Sequence, residues 1–111
     1  MKRSETIKDK KLFTNIIKTG KYRKNKYIVI YNKERKDDNL FFGIAISNKL
    51  GKAHIRNKVK RQIRYIIDNN RNLFKKGNNY IIMVRKNSNN IIFSDLENSI
   101  INILKDNKGD K

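Results

Sequence analysis

Hydrophobic residues along the chain recur with two different spacings, and these spacings predict the secondary structure. Between residues 55 and 67, apolar residues return every three or four positions, a spacing that places side chains on one side of an α-helix. The members of this stripe are Ile55, Val59, Ile63, Ile66 and Ile67. Polar and cationic residues fill the remaining positions, so the pattern predicts a helix with one buried side and one basic side.

Two further segments repeat the helical spacing, one near each end of the chain. The first spans residues 9–19, where Asp9 is suited to cap the start and Gly20 to end the helix in the left-handed conformation. The second begins at Ser94 and Glu97, which have the spacing of a capping box, and carries its apolar stripe toward the C-terminus. We therefore expect a helix before the strands and another after them.

Three stretches rich in β-branched and aromatic residues predict strands at residues 27–31, 40–46 and 80–85. The polar residues 32–39 between the first two stretches predict a hairpin connection. The nearly continuous apolar run at 40–46 indicates burial on both faces. The basic residues 21–26 are interpreted as a short strand at the edge of the sheet.

This order of elements predicts a single α+β domain over residues 1–111. We expect a small two-layer α/β sandwich of order α-β-β(-β)-α-β-α, with helices packed on a mainly antiparallel sheet. Residues 1–6 and 106–111 are expected to be flexible. No stretch approaches the ~18 apolar residues of a membrane span, and no apolar run follows the N-terminus. We therefore expect a cytoplasmic protein without a membrane partner.

Charge narrows the range of partners. The chain has 28 lysine and arginine residues against 10 acidic ones, a formal net charge of +18, which favours a polyanion such as nucleic acid. No acid occurs between residues 51 and 67, and arginine, the preferred phosphate donor, is concentrated there. A solvated surface in a lysine-rich chain is the alternative interpretation. The candidate RNA-binding residues of the predicted basic helix are Arg56, Asn57, Lys58, Lys60, Arg61 and Arg64.

Candidate catalytic residues are not evident. The acids are scattered, the adjacent pair Asp37 and Asp38 is typical of a turn, and His54 is the only histidine. There is no cysteine to hold a metal or to act as a nucleophile. Single-stranded RNA is bound by cationic grooves with aromatic platforms, for which Phe13 and Tyr31 are the better candidates. For four other aromatic residues, the sequence does not decide between a position in the core and a base-stacking platform: Tyr27, Phe41, Phe42 and Tyr80.

Residues 43–64 read GIAISNKLGKAHIRNKVKRQIR, which closely resembles the signature of the bacterial ribonuclease P protein subunit. The matching positions are Ser47, Lys49, Gly51, Ala53, Arg56, Asn57, Lys60, Arg61 and Arg64. Three positions depart from that pattern. Asn48 replaces a lysine, His54 replaces an aliphatic residue, and Lys58 replaces an arginine, which keeps the charge but loses the bidentate fork.

The resemblance implies a fold like the second domain of a small-subunit ribosomal protein, with a left-handed β-α-β crossover around the basic helix. It also implies a subunit of the endonuclease that removes the 5′ leader from precursor tRNA. Catalysis would belong to the catalytic RNA of ribonuclease P and its Mg²⁺, and the protein would bind that RNA through the basic helix. By position, a cleft for the leader would be formed by Phe13, Ile17, Val29, Tyr31 and Lys49.

Two other functions remain as alternatives. A generic RNA-binding or ribosomal-type protein would share the charge without any role in cleavage. A protein nuclease acting alone would need His54 and acids in a catalytic arrangement. No obligatory protein partner is evident from the sequence.

Overall fold

The computed structural model describes residues 5–85 and 91–105 of the chain. Within them, one four-stranded sheet carries a helix on one face and two helices on the other. The helices are α1 (Lys10–Thr19), α2 (Ala53–Asn69) and α3 (Phe93–Lys105). The strands are β1 (Lys21–Lys24), β2 (Ile28–Glu34), β3 (Leu40–Ile46) and β4 (Asn78–Val84). The predicted α+β class and element order, including the edge strand β1, are confirmed.

The observed strand order contradicts the predicted hairpin between β2 and β3. The sheet runs β1-β2-β4-β3, so β4 lies between β2, to which it is antiparallel, and β3, to which it is parallel. The hairpin prediction for residues 32–39 is therefore wrong, because β2 and β3 are not neighbours. β4 is the most buried strand, with only Met83 partly exposed, as expected of a strand with neighbours on both sides.

The position of β3 also corrects its predicted burial. As the last strand of the sheet, β3 has ladder partners only on its β4 side, apart from a single bridge between Thr6 and Phe42. Phe42 and Gly43 are buried, whereas the other β3 residues are half-buried. Both faces of β3 are nevertheless covered, since Leu40, Ile44 and Ile46 pack on the α2 side and Phe41 and Ala45 on the α1 side. The predicted burial on both faces is therefore only partial at this edge of the sheet.

Polar residues extend β2 and β4 beyond their predicted ends. Asn78 and Asn79 are buried, yet their side chains are satisfied. Asn78 Nδ2 donates to the carbonyl oxygen of Lys76 at 3.1 Å, and Asn79 Oδ1 accepts from Arg35 Nη1 at 2.9 Å. Because these bonds offset the cost of burial, the ladder continues to the pair Glu34 and Asn78.

The larger core fills the space between the sheet, α2 and α3. The α2 stripe is buried as predicted, except that Ile55 is half-buried. The buried residues of α3 are Leu96, Ile100, Ile103 and Leu104. The capping box was misplaced, because α3 begins at Phe93 and Ser94 therefore lies inside its first turn. Glu97 instead accepts a hydrogen bond from Asn70 Nδ2 at 3.3 Å.

Helix α1 covers the opposite face of the sheet. Asp9 caps it as predicted, since its carboxylate accepts from the backbone N–H of Lys11 at 2.9 Å. Gly20 is not left-handed, because its φ and ψ are −76° and 165°. Glycine is needed there for space: a Cβ would lie 2.6 Å from the carbonyl oxygen of Ile16 and 2.8 Å from that of Asn32.

The segment before α1 is held in place. Glu5 makes two bonds to Arg71, at 2.6 and 3.0 Å, and the N–H of Ile7 donates to the carbonyl oxygen of Phe42 at 2.8 Å. Residues 5 and 6, which were expected to be flexible, thus have contacts with the folded domain, and residues 1–4 and 106–111 lie outside the described residues. Among the described helices, none combines the length and hydropathy that a membrane span needs.

Replacing Gly20 tests the close contact between α1 and β2. Gly20→Ala should lower the free energy of unfolding by about 1–3 kcal/mol, because the added methyl group meets two backbone oxygens that cannot turn away. Urea unfolding followed by circular dichroism measures the change. The exposed neighbour substitution Lys18→Ala should stay within about 0.5 kcal/mol of the wild type. An equally small effect of Gly20→Ala would contradict the contact.

Candidate nucleic-acid interface

Helix α2 places the six basic-helix candidates on its side away from the core. Because the aliphatic stripe is buried against the sheet, the remaining positions must face outward or to the flanks. The exposed candidates are Asn57, Lys58, Arg61 and Arg64, and the half-buried ones are Arg56 and Lys60. We call these six residues the basic face of α2.

The start of α2 adds to the positive potential of this face. Its first turn has no acidic residue, and Lys52 at the N-cap makes no side-chain hydrogen bond to the helix. Free backbone N–H groups and the helix dipole both attract anions at such an end. Asp68 is the one acid in the helix, and it lies in the last turn, 4.0 Å from Arg71. The first three turns therefore carry cations without a carboxylate on the same helix.

A short turn joins β3 to α2 and presents Lys49. The hydroxyl of Ser47 accepts from the N–H of Lys49 at 3.1 Å, while Leu50 anchors the turn in the core. Arg56 reaches back from α2 and donates from Nη1 to the carbonyl oxygen of Gly51 at 2.6 Å. Arg56 therefore supports the turn with one of its donors and keeps the others for a ligand.

The second candidate surface lies on the α1 face of the sheet. Phe13 and Ile17 of α1 and Tyr31 of β2 are half-buried, and all three pack against a small core that includes Ile81. Val29 lies two residues before Tyr31 on the same face of β2. We call these four predicted residues, Phe13, Ile17, Tyr31 and Val29, the α1 cleft.

Phe13 rests directly on the backbone of β3. A Cβ built on Gly43 would lie 2.6 Å from Phe13 Cε2, so the glycine makes room for the ring. The side chain of Ile81 is the next neighbour, at 3.4 Å from the same point. Gly43 belongs to the signature-like segment, and this contact gives it a structural reason for lacking a side chain.

The α1 cleft continues toward the turn that carries Lys49. Val29 is paired with Met83, and Met83 with Ala45, so these apolar residues form a row across three strands. Met83 and Ala45 also line a cavity of about 360 Å³, together with Ser47 and Arg85. Lys49 follows two residues after Ser47, at the same end of the sheet, although it belongs neither to the lining of this cavity nor to the apolar cluster.

Tyr22 is a residue of this surface that the sequence analysis missed. It is 54% exposed, and its ring centroid lies 5.8 Å from that of Tyr31. The antiparallel register of β1 and β2 pairs the two tyrosines directly. The aromatic residue in an otherwise basic segment was a usable signal, but the register that brings it to Tyr31 could not be read from the sequence.

The structure divides the remaining aromatic candidates between core and surface. Phe42 and Tyr80 are buried with Phe74 on the α2 side, so neither can stack on a base. The Tyr80 hydroxyl accepts from the N–H of Lys75 at 2.9 Å, and burial raises its pKa. Phe41 is half-buried beneath the guanidinium of Arg35, 4.2 Å from the ring centroid, and Tyr27 is also half-buried.

Asp37 and His54, two titratable residues considered in the sequence, lie in a turn and at the start of α2. Asp37 receives two bonds from Arg35, each of 2.8 Å, which lower the pKa of its carboxyl to about 2. It also accepts from the N–H of Asn39, as expected of a turn residue. His54 is exposed at the start of α2. The described residues include no group of three His, Cys, Asp or Glu side chains able to hold a metal ion.

The sequence matches a known protein family over nearly its whole length. Residues 1–108 match the Ribonuclease P family. The Ribonuclease P protein component of Streptococcus pneumoniae (strain JJA) is 31% identical over 105 residues, which span 95% of this chain and 85% of the relative.

Solved structures give the same assignment. The ribonuclease P protein of Staphylococcus aureus superposes with a TM-score of 0.85 at 30% identity, covering 96% of this chain and 98% of that one. The protein from Thermotoga maritima gives 0.82 at 30% identity, covering 91% and 96%. The chain therefore belongs to the ribonuclease P protein family, whose members are protein subunits of a tRNA-processing ribonucleoprotein.

Proposed function

We propose that this protein acts in the cytoplasm, binds the catalytic RNA of ribonuclease P through the basic face of α2, and holds the 5′ leader of precursor tRNA in the α1 cleft. One observation carries the proposal. Two surfaces suited to RNA lie on opposite faces of one sheet, and the turn at residues 47–51 adjoins both. A protein with this arrangement can contact two RNA segments at once.

The basic face has the chemistry of a phosphate-binding surface. Arg61 and Arg64 are exposed and separated by one turn, so both can reach the backbone of the same RNA segment. Lys58, on the same side, supplies a point charge in place of the guanidinium usual in the signature. Family membership implies the catalytic RNA as a partner, and in this proposal the basic face binds it.

The α1 cleft has the chemistry of a single-strand binding surface. Unpaired bases stack on aromatic rings, and Phe13, Tyr31 and Tyr22 offer such rings beside apolar strand residues. Lys49, at the open end, can meet the backbone of the same strand. Only a precursor has a leader, so contacts in this cleft would favour the substrate over the mature product.

In this proposal the chemistry of cleavage belongs to the RNA and its Mg²⁺. The described residues offer no cluster of metal ligands, so no step is assigned to a metal held by the protein. The protein contributes affinity and charge. Its cations reduce the repulsion between the catalytic RNA and the substrate, and the assembled enzyme should then require less Mg²⁺.

Cleavage of precursor tRNA at low Mg²⁺ tests the proposed function. Three reactions are compared: the cognate catalytic RNA alone, the same RNA with this protein, and the protein alone. We expect the protein to stimulate cleavage at the correct 5′ end and to cleave nothing by itself. Cleavage by the protein alone would contradict RNA-borne catalysis, and an absence of stimulation would favour an RNA-binding protein without a role in cleavage.

Salt dependence tests the phosphate contacts of the basic face. Arg61→Ala should weaken binding of the catalytic RNA. It should also reduce the steepness of the slope of log affinity against log salt concentration by about 0.7–0.9, the value expected for one phosphate contact. Filter binding at several salt concentrations measures both quantities. Lys36→Ala removes one exposed charge from the turn after β2, away from α2, and should leave the slope nearly unchanged. Equal slopes in all three proteins would refute the contact.

Discrimination between precursor and mature tRNA tests the α1 cleft. Phe13→Leu keeps an apolar side chain but removes the ring. In the holoenzyme, the ratio of precursor affinity to mature tRNA affinity should fall by about 5- to 150-fold, the value of one stacked base. Gly43→Ala should act in the same direction, because its methyl group displaces the Phe13 ring. Binding of both tRNA forms by each holoenzyme gives the ratio. A preference unchanged in both variants would exclude a stacking role for Phe13.

A further inference from the structure

An exposed aromatic residue interrupts the polar side of α2. Tyr65 is 58% exposed, and its ring centroid lies 5.8 Å from that of Phe93, at the start of α3. Ile92, directly before Phe93, is 61% exposed. The described residues include three exposed large hydrophobic side chains, and two of them, Tyr65 and Ile92, lie in or next to the elements that form this junction of α2 and α3.

The helical spacing aligns Tyr65 with the cations of the basic face. Lys58, Arg61 and Tyr65 follow one another at steps of three and four, so their side chains lie in one row along α2. His54 begins this row one turn earlier. Arg56 and Lys60 lie on the opposite flank of the helix, where the side chains are half-buried. The cationic row therefore ends in an aromatic ring on the α3 side.

Phe93 gives the tyrosine ring a fixed support. Its own side chain is half-buried and packs against the main core, so its position is set by the fold. The two rings are tilted by 53° rather than stacked, and more than half of the Tyr65 surface is exposed to solvent. A supported ring loses little conformational freedom when a ligand stacks on it.

Charge identifies the occupant of this surface. Single exposed hydrophobic residues are common and need no ligand, but here the ring is continuous with Lys58 and Arg61. A second copy of the chain would bring a formal charge of +18 against the same charge. A stable protein interface also needs about 800 Å² on each partner, far more than these side chains offer. An unpaired nucleotide, with a flat base between two phosphates, fits both the ring and its cations.

We propose that Tyr65, supported by Phe93, is a stacking platform for an unpaired base of the catalytic RNA, with Lys58 and Arg61 binding the adjacent phosphates. The proposal rests on the proposed function, because it requires the basic face to meet that RNA. It adds a site beyond the signature-like segment, which ends at Arg64.

A set of variants at position 65 tests the platform. Tyr65→Ala should weaken binding of the catalytic RNA by about 5- to 150-fold while leaving the salt slope unchanged, because a stacked ring is lost but no charge. Tyr65→Phe should bind like the wild type, since it keeps the ring. Asn69→Ala, at an exposed position one turn further along α2, serves as the neutral control. Urea unfolding establishes that the variants remain folded.

A fluorescent probe gives a direct readout of stacking. The chain has no tryptophan, so Tyr65→Trp introduces a single indole at the site. We expect its emission to be quenched when the catalytic RNA binds. Unchanged emission at saturation, or Tyr65→Ala binding as tightly as the wild type, would overturn the proposal. A dimer of the wild-type protein that Tyr65→Ala dissociates would also overturn it, since the surface would then bind a second copy.

The proposed function has a separate outcome in the same titrations. Failure of the wild-type protein to bind the catalytic RNA would refute the use of the basic face and the platform together. Tight binding by the wild type and by Tyr65→Ala alike would refute the platform alone. The two failures are thus distinguished by the wild-type curve.

Discussion

The packing of the aliphatic side of α2 against the sheet is the interaction on which the rest of the structure depends. Four aliphatic residues of this helix are buried: Val59, Ile63, Ile66 and Ile67. Burying each contributes about 1.5–3 kcal/mol. Like charges four residues apart, as at Arg56 with Lys60 and Lys60 with Arg64, cost only about 0.2–0.5 kcal/mol per pair. Burial exceeds this repulsion several-fold, so the fold can keep a row of cations facing outward on a helix that would be weak in isolation.

The parallel pairing of β3 and β4 determines where the two candidate surfaces meet. Parallel neighbours cannot be joined by a tight hairpin, and the connection here crosses one face of the sheet as α2. Helix α2 must therefore begin at the end of the sheet where β3 stops. The row formed by Val29, Met83 and Ala45 opens toward the same end on the other face. The turn at residues 47–51 lies between the basic face and the α1 cleft, and it is the short path through which RNA on one face could position RNA on the other.

The sequence predicted the elements well and their pairing poorly. Periodicity located α2 and its buried stripe because both depend on neighbours within two turns of the helix. It could not show that β4 enters between β2 and β3, since strand order depends on contacts distant in sequence. Gly20 illustrates the same limit: a helix-terminal glycine suggested a left-handed residue, whereas its true constraint is the carbonyl oxygen of Asn32 on β2. The six residues of the basic face follow from helix spacing alone, but Tyr22 and Tyr65 gain their significance only from rings elsewhere in the fold.

These two tyrosines share one physical arrangement on opposite sides of the sheet. Helix α1 carries the aliphatic Ile17 one turn after Phe13, so the helix side of the cleft offers a single ring. Tyr22 adds an exposed ring from β1, and it packs against Tyr31 as Tyr65 packs against Phe93. In each pair the more buried ring is fixed by a core and restrains the exposed one. A ring restrained before binding loses less entropy on stacking, so each pair can add affinity that salt does not screen, one beside the cations of α2 and the other at the apolar α1 cleft.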